Sequence, residues 1–204
     1  MGFWASKTLL SAVELHLFTT LGAGPLTVPQ VAPRLGLHPR GLYDFLDALV
    51  ALEIIARAGD GATAKYSNTT EAASFLDKNR FAYLRGILEM ANSRLYGYWV
   101  ALTTALKSGK PQNETATGAG NPFDAIYADA QRLEQFLRAM QGAQLGSFMA
   151  LIAKVDLARY KTYCDVGGAN TTLATLVARE FPRLRRISFD LAPATLRATS
   201  QLPG

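Results

Sequence analysis

Apolar residues recur at three- and four-residue steps from the start of the chain. Leu9, Leu10, Val13, Leu17 and Leu21 form one wide stripe, which predicts a helix over 3–21. Gly22-Ala23-Gly24-Pro25 ends it, because glycine caps helix C-termini and proline cannot continue one. Thr27 is placed to cap a short helix through Leu35, with Pro29 in its first turn and Gly36 as the break. A further helix is predicted from His38-Pro39-Arg40 through Leu42, Phe45, Leu46, Leu49, Val50 and Leu52. Ile54-Ile55-Ala56-Arg57 and Ala64-Lys65-Tyr66-Ser67, joined across Gly59-Asp60-Gly61, predict a β-hairpin. Three helices followed by a hairpin describe a winged helix.

The helical pattern then lengthens. A short helix is expected over 71–76 and a long one over 81–107, carrying Tyr83, Leu84, Ile87, Leu88, Leu95, Tyr98, Trp99 and Leu102. Ser108-Gly109-Lys110-Pro111 stops it, the polar run to Gly120 is a loop, and helices resume over 123–127 and 131–153. The many aromatic and methionine side chains here read as core, or as the lining of a pocket for an aromatic molecule. At Tyr160 the period changes. Tyr163-Cys164-Asp165-Val166 is a strand ending in Gly167-Gly168, a helix covers 172–180, and Arg186-Ile187-Ser188-Phe189-Asp190 is a second strand. That order is one βαβ unit. The chain therefore divides into a winged-helix-like part over 1–85, a helical part over 86–155 and an α/β part over 156–204.

Composition changes this picture little. The chain has 204 residues, 49% hydrophobic and 18% charged, with a mean hydropathy of +0.08. That supports a packed core and excludes disorder. No apolar run reaches the ~18 residues of a membrane span. The first residues lack the basic and apolar regions of a secretory leader, so a cytoplasmic location is expected. Cys164 with His16 and His38 is too small a set for a disulfide or a structural zinc site, and no metal is expected.

A formal net charge of +5 raises the question of nucleic acid. Much of the excess sits late, in Lys154, Arg159, Lys161, Arg179, Arg183, Arg185, Arg186 and Arg197. Over 25–70, where a winged helix would read DNA, Arg34, Arg40, Arg57 and Lys65 are cancelled by Asp44, Asp47, Glu53 and Asp60. Phosphate contacts supply most of the non-specific affinity for DNA, and this module has no surplus to make them. Dimerisation, the other common use of a winged helix, is the expectation.

The chemistry is concentrated at Asp165-x-Gly167-Gly168. Glycine lets the backbone turn sharply and approach a ligand with no Cβ in the way. Asp190 closes the next strand, where an acid accepts the ribose hydroxyls of an adenosine cofactor. The competing reading is a βαβ whose glycines only permit tight packing and whose acids are solvated.

Asp165-Val166-Gly167-Gly168-Ala169, an amphipathic helix, Phe181-Pro182-x-Leu184 and Phe189-Asp190-Leu191 resemble the first cofactor motif of one family. It is that of the S-adenosylmethionine-dependent O-methyltransferases of the acetylserotonin and plant phenolic type, in their bacterial branch. Phe3-Trp4-Ala5-Ser6-Lys7, Leu37-His38-Pro39-Arg40, Phe45-Leu46-Asp47-Ala48-Leu49, Gly109-Lys110-Pro111-Gln112 and Phe136-Leu137-Arg138-Ala139-Met140 extend the resemblance over nearly the whole chain. It implies a mainly α protein, a winged-helix dimerisation domain followed by the start of a Rossmann-like α/β methyltransferase domain. It implies a homodimer whose helices partly enclose the partner's substrate pocket. By the same resemblance Gly167 and Gly168 lie against the methionine part of S-adenosyl-L-methionine. Asp165 holds the turn near the amino group, and Asp190 binds the ribose. Met90, Asn92, Tyr96, Phe136 and Met140 fall in segments that line a small aromatic hydroxylated acceptor.

The sequence departs from the family in three places. Thr171 stands where the family turn has glycine, so a β-branched residue must either displace the cofactor or strain the backbone. Ala169 is a smaller change, and the proline after the aspartate-leucine pair is displaced by Ala192 to Pro193. Two predicted strands stand where the family domain has seven, and the family's histidine base lies further on than Gly204. No catalytic residue is therefore assigned, and both histidines are expected to be structural. Three readings stay open: part of a full enzyme, a non-catalytic paralogue acting as dimer partner, and a winged-helix regulator with an appended ligand sensor.

Overall fold

The first apolar stripe folds as two helices rather than one. α1 (Gly2–Glu14) and α2 (Leu17–Leu21) are separated at His16, whose φ of 58° is left-handed. Histidine enters that region more readily than most side chains, and the break lets Leu17, Phe18 and Leu21 all bury. The computed structural model describes residues 2–84, 86–117, 121–192 and 194; Gly120, Pro193 and Arg197 lie outside them. The chain forms two compact units, Met1–Gly97 and Tyr98–Gly204.

In the N-terminal unit, β1 (Leu26–Thr27) runs into α3 (Val28–Leu35). The Thr27 N–H donates to Gln30 Oε1 at 2.9 Å, half of a capping box, and Pro29 sits in the first turn. α4 (Leu42–Ala51) begins later than the sequence pattern suggests, because Gly41 at φ 82° holds the preceding turn out of the helix. His38 serves that turn: its Nδ1 accepts the Arg40 N–H at 3.1 Å. β2 (Ile55–Ala58) and β3 (Lys65–Asn68) form the expected hairpin, with Arg57 opposite Tyr66. β1 adds to the other edge of β3, giving the antiparallel order β1-β3-β2. This two-residue strand exists only through that pairing and has no sequence pattern of its own.

The helices close over the sheet around Leu17, Phe18, Val31, Leu46, Leu49 and Tyr66, all fully buried. At the core's edge Asp47 accepts from the Tyr66 hydroxyl at 2.8 Å and pairs with Arg57 at 3.2 Å. Arg57 reaches Asp60 as well, at 3.5 Å, so the wing's arginine is held by two acids. α5 (Thr70–Phe75) follows, with Thr69 accepting the Ala72 N–H as its cap.

The long helix expected over 81–107 is corrected. Residues 77–84 are not helical: the Lys78 N–H is held by Thr19 Oγ1 at 3.1 Å and the Leu84 N–H by the Phe75 carbonyl at 2.9 Å. Helix starts after Gly86 as α6 (Ile87–Met90), widens into a π-turn over Ala91–Leu95, and continues as α7 (Tyr96–Val100). Ala101 breaks it again before α8 (Leu102–Ser108), which ends on Gly109 at φ 65°.

In the C-terminal unit α9 (Pro122–Tyr127) is capped by Asn121, and α10 (Ala130–Lys154) by Asp129, which accepts the N–H groups of Gln131 and Arg132. β4 (Thr162–Val166), α11 (Thr172–Glu180) and β5 (Arg185–Phe189) form the expected βαβ, with β4 and β5 parallel and Val166 opposite Phe189. α11 packs against α10 and against β5, burying Val177 and Leu184. Much of the strand pair stays bare: Val166 is 74%, Phe189 66% and Ile187 41% exposed. Parallel strands are normally covered on both faces, and here Ile187 and Phe189 are uncovered. Among the described residues no helix is long and apolar enough to cross a membrane.

Candidate functional site

The site grows from the end of β4. Alternation along the strand turns Tyr163 and Asp165 to the covered side and Cys164 and Val166 to the open one. Gly167 continues the ladder by donating its N–H to the Phe189 carbonyl at 2.8 Å, at a φ of 75° that disfavours any side chain. A Cβ there would meet nothing within 4 Å, so this backbone faces open space. Gly168 is glycine for another reason: a Cβ would lie 2.5 Å from Ser188 Oγ and 2.9 Å from Asp165 Oδ2. Tight packing thus explains the second glycine but not the first.

The next residues are strained. Ala169 has φ 47° and Thr171, at the N-cap of α11, φ 62° and ψ 18°. For a β-branched side chain this is an outlier, costing on the order of 1–3 kcal/mol. Of the two courses open to a threonine at this position, the backbone takes strain. The turn is tied shut by Thr171 N–H to the Gly168 carbonyl at 2.8 Å, and by Ala169 N–H to Asp190 Oδ2 at 2.7 Å. Asp190 Oδ1 accepts the Leu191 N–H at 2.6 Å.

Asp165 faces the inside of this turn, and its Oδ2 is buried with no hydrogen-bond partner. Burial pushes its carboxyl above the ordinary range, against an opposing pull from the Ala174 N–H and with a smaller push from the neighbouring Asp190 charge. Two acids and an orphaned carboxylate oxygen beside an open glycine backbone favour a cationic, hydroxyl-bearing ligand.

Tyr127, at the end of α9, has no distinguishing sequence pattern. Its phenol is raised by burial and then by the charge of Asp190, which places it beside the turn. It packs with Phe136 and Ala169 against Ile126, Leu133 and Leu137, so α9 and α10 form one wall of the turn. Phe136 also stands edge-on to Phe123, with ring centroids 6.1 Å apart. Met140, one helical turn further along α10, is half-buried.

Met90, Asn92 and Tyr96 belong to the N-terminal unit. Met90 is buried. Asn92, in the π-turn, has both ends of its amide engaged by α1: Lys7 Nζ donates to Oδ1 and Nδ2 donates to Glu14, each at 2.7 Å. The Tyr96 hydroxyl donates to the Phe3 carbonyl at 3.3 Å, and Lys7 lies 5.9 Å from the centre of its ring. Tyr96 lines an open cavity of about 360 Å³ with Phe3, Trp4, Lys7, Thr8, Ser11 and Phe45. Asn92 and Tyr96 thus meet through α1, and Phe136 and Ala169 pack against the same Ile126, Leu133 and Leu137 cluster.

The family model for the O-methyltransferase dimerisation domain matches residues 1–78, and the model for the O-methyltransferase domain matches residues 99–203. The chain belongs to the O-methyltransferase family. It is similar to the tetracenomycin polyketide synthesis 8-O-methyl transferase TcmO of Streptomyces glaucescens, 39% identical over 94% of this chain and 54% of that one. It is also similar to the N,N-dimethyltransferase OxyT of Streptomyces rimosus, 36% identical over 91% of this chain and 53% of that one. Among solved structures, human N-acetylserotonin methyltransferase in complex with SAM superposes with a TM-score of 0.85 at 26% identity, covering 100% of this chain and 60% of that one. The chain spans about half the length of the curated relatives it matches.

Proposed function

We propose that this chain carries the dimerisation domain and the first βαβ of the cofactor domain of an S-adenosylmethionine-dependent O-methyltransferase. Its acceptor would be a hydroxyl on a small aromatic molecule. The functional parts are 1–85 for dimerisation, 86–155 as the helical substrate-facing region and 156–204 as the start of the cofactor domain. The observation that carries the reading is the orphaned, buried Asp165 Oδ2 against Gly168, in the turn that the open backbone of Gly167 begins.

The residues present fit the cofactor. Asp165 would receive its ammonium group, and Gly167 and Gly168 would lie along its methionine chain. Asp190, whose oxygens accept the Ala169 and Leu191 N–H groups, would bind the ribose hydroxyls. Tyr127 would close the same site from α9. Bound there, S-adenosylmethionine supplies an electrophilic methyl group on a sulfonium. Phe136 and Met140 in the C-terminal unit, and separately Met90, Asn92 and Tyr96 in the N-terminal unit, are each proposed as acceptor-facing residues of their own unit.

No residue of the chain is proposed as the catalytic base. His16 sits at a helix break and His38 accepts a backbone N–H in a turn. A base must reach its proton within hydrogen-bonding distance. The 204 residues alone are therefore expected to transfer no methyl group. The proposed setting is a cytoplasmic homodimer with an interface above ~2,000 Å². It acts on small molecules, not on nucleic acid or membrane.

Calorimetry with S-adenosylmethionine tests this reading. Weak binding is expected, worse than ~1 mM or about −4 kcal/mol, lost on Asp165→Ala or Asp190→Ala. Micromolar binding would show that the turn suffices alone. Binding that survives both substitutions would remove the proposed site. Methyl transfer by the unextended chain would overturn the absence of a base, and a monomer in light scattering would overturn the homodimer. An amine methylated in place of a phenol by an extended chain would shift the acceptor towards the chemistry that OxyT's name describes.

A further inference from the structure

Six cations among the described residues pair with acids. Lys7 meets Glu14, Arg57 meets Asp47 and Asp60, Lys78 meets Glu89, Arg80 meets Asp77, and Arg132 and Arg138 meet Asp129 and Glu134. Five cations that make no such pair are gathered in one place. Arg159 and Lys161 lead into β4, and Arg183, Arg185 and Arg186 lead into β5, at the end of the strand pair opposite the glycine turn. The two basic segments lie side by side: the Arg185 N–H donates to the Lys161 carbonyl at 3.1 Å, and Thr162 is in register with Arg185.

All five side chains are exposed, and among the described residues none of the five makes an ion pair with an acid. Asp156, the acid nearest in sequence to Arg159, caps the Ala158 N–H at 3.0 Å. Cations gathered at the ends of two adjacent strands reinforce one another as a positive field over a Debye length, about 10 Å at moderate salt. Nothing in the packing of the βαβ requires it.

We propose that this end of the β4–β5 pair is a docking surface for an acidic face of another protein. Side chains alternate along a strand, so Arg185 and Arg186 leave opposite faces of the sheet. The patch therefore wraps an edge rather than lining a groove that could follow a nucleic-acid backbone. Four of the five cations are arginines, whose planar forks match carboxylates two bonds at a time. Arg159 is pre-organised: its guanidinium lies 4.9 Å over the ring of Tyr160 and donates to that hydroxyl at 2.8 Å. Tyr160 is itself half-exposed. Arginine and tyrosine are the residue types that protein interfaces favour.

The test is fluorescence anisotropy with the 204-residue chain and labelled poly-L-glutamate at low salt, beside a DNA duplex of equal charge. Saturable binding to poly-L-glutamate is expected, tighter than to the duplex and weakening steeply with salt. Arg183→Glu/Arg185→Glu/Arg186→Glu should weaken it by about tenfold or more. Arg34→Glu/Arg40→Glu/Lys65→Glu, the same charge change in the N-terminal unit, should weaken it by less than about threefold. Equal losses from the two triple variants would reduce the effect to net charge and overturn the proposal. Tighter binding to the duplex would overturn it in favour of a nucleic-acid surface, and no saturable binding would remove it outright. Should the first triple variant misfold by circular dichroism, Arg185→Gln/Arg186→Gln must still show an intermediate loss.

Discussion

In the N-terminal unit Leu17, Phe18, Leu46, Leu49 and Tyr66 are at most 1% exposed, and three strands and four helices close around them. In the C-terminal unit Ile126, Leu133 and Leu137 form a small cluster, while Val166, Ile187 and Phe189 stand open on the strands. Strain is placed differently in the two: His16 and Glu53, the N-terminal unit's described non-glycine residues at positive φ, stand in two separate turns. Among the described residues of the C-terminal unit both non-glycine residues at positive φ, Ala169 and Thr171, fall inside the glycine turn. The N-terminal unit behaves as a scaffold whose sequence agrees with its packing. The C-terminal unit holds its strain where the proposed cofactor would lie, as functional sites commonly do.

Paired core substitutions break this comparison most directly. Leu46→Ala removes a fully buried side chain and should cost about 2–5 kcal/mol in denaturant unfolding. Phe189→Ala removes a larger side chain that is 66% exposed, and its cost should stay below about 1 kcal/mol. A comparable loss from both would mean that the open strand face is covered in solution.

Thr171→Gly sharpens the comparison at the turn. Relief of a left-handed β-branched residue gains roughly 1–3 kcal/mol, and the extra freedom of glycine in the unfolded chain takes back about 0.5–1. A net gain of about 1 kcal/mol in the C-terminal unit is expected, with tighter S-adenosylmethionine binding by calorimetry. Neither Leu46→Ala nor Phe189→Ala carries such coupling, so a gain in stability without any gain in binding would separate strain from the ligand site.

Much of this was legible in the chain itself. Thr27 and Gln30 announce their cap, and the hairpin and the βαβ stand where their periodicities place them. Asp165, Gly167 and Gly168 converge with Asp190 because a parallel pair must bring its two C-terminal ends together. What escaped the pattern depends on distant partners. β1 is a strand because β3 passes beside it. The helix over 81–107 breaks because Thr19 and Phe75 hold the residues before it. Asn92, predicted in a pocket-lining segment, has both ends of its amide engaged by α1, a partner some eighty residues away. Tyr127 and Ala169 come together by packing against the same Ile126, Leu133 and Leu137 cluster, which no local spacing encodes.

The smallest expected effect is the most specific. Asp165 carries a carboxyl raised by burial and by Asp190. An acid whose folded pKa exceeds its unfolded one binds more protons when folded, so stability falls as pH rises between the two values. The penalty is fully present at neutral pH and absent below the unfolded value, about 4. Asp129, lowered by the Arg132 and Gln131 N–H groups it caps, has the opposite sign and loses its contribution as pH falls. Asp165→Asn keeps an acceptor for the Ala174 N–H and removes the charge. At pH 7 it should stabilise the chain by less than about 1 kcal/mol, the solvent screening much of the repulsion. The difference from the parent chain should vanish in melts run near pH 4, while Asp129→Asn should destabilise most at neutral pH. S-adenosylmethionine binding should move the other way, weakening in Asp165→Asn because the ammonium acceptor loses its charge. A variant less stable than the parent at every pH would make Asp165 a packing residue, and the turn's acidity would then be a consequence of the fold rather than a preparation for a cation.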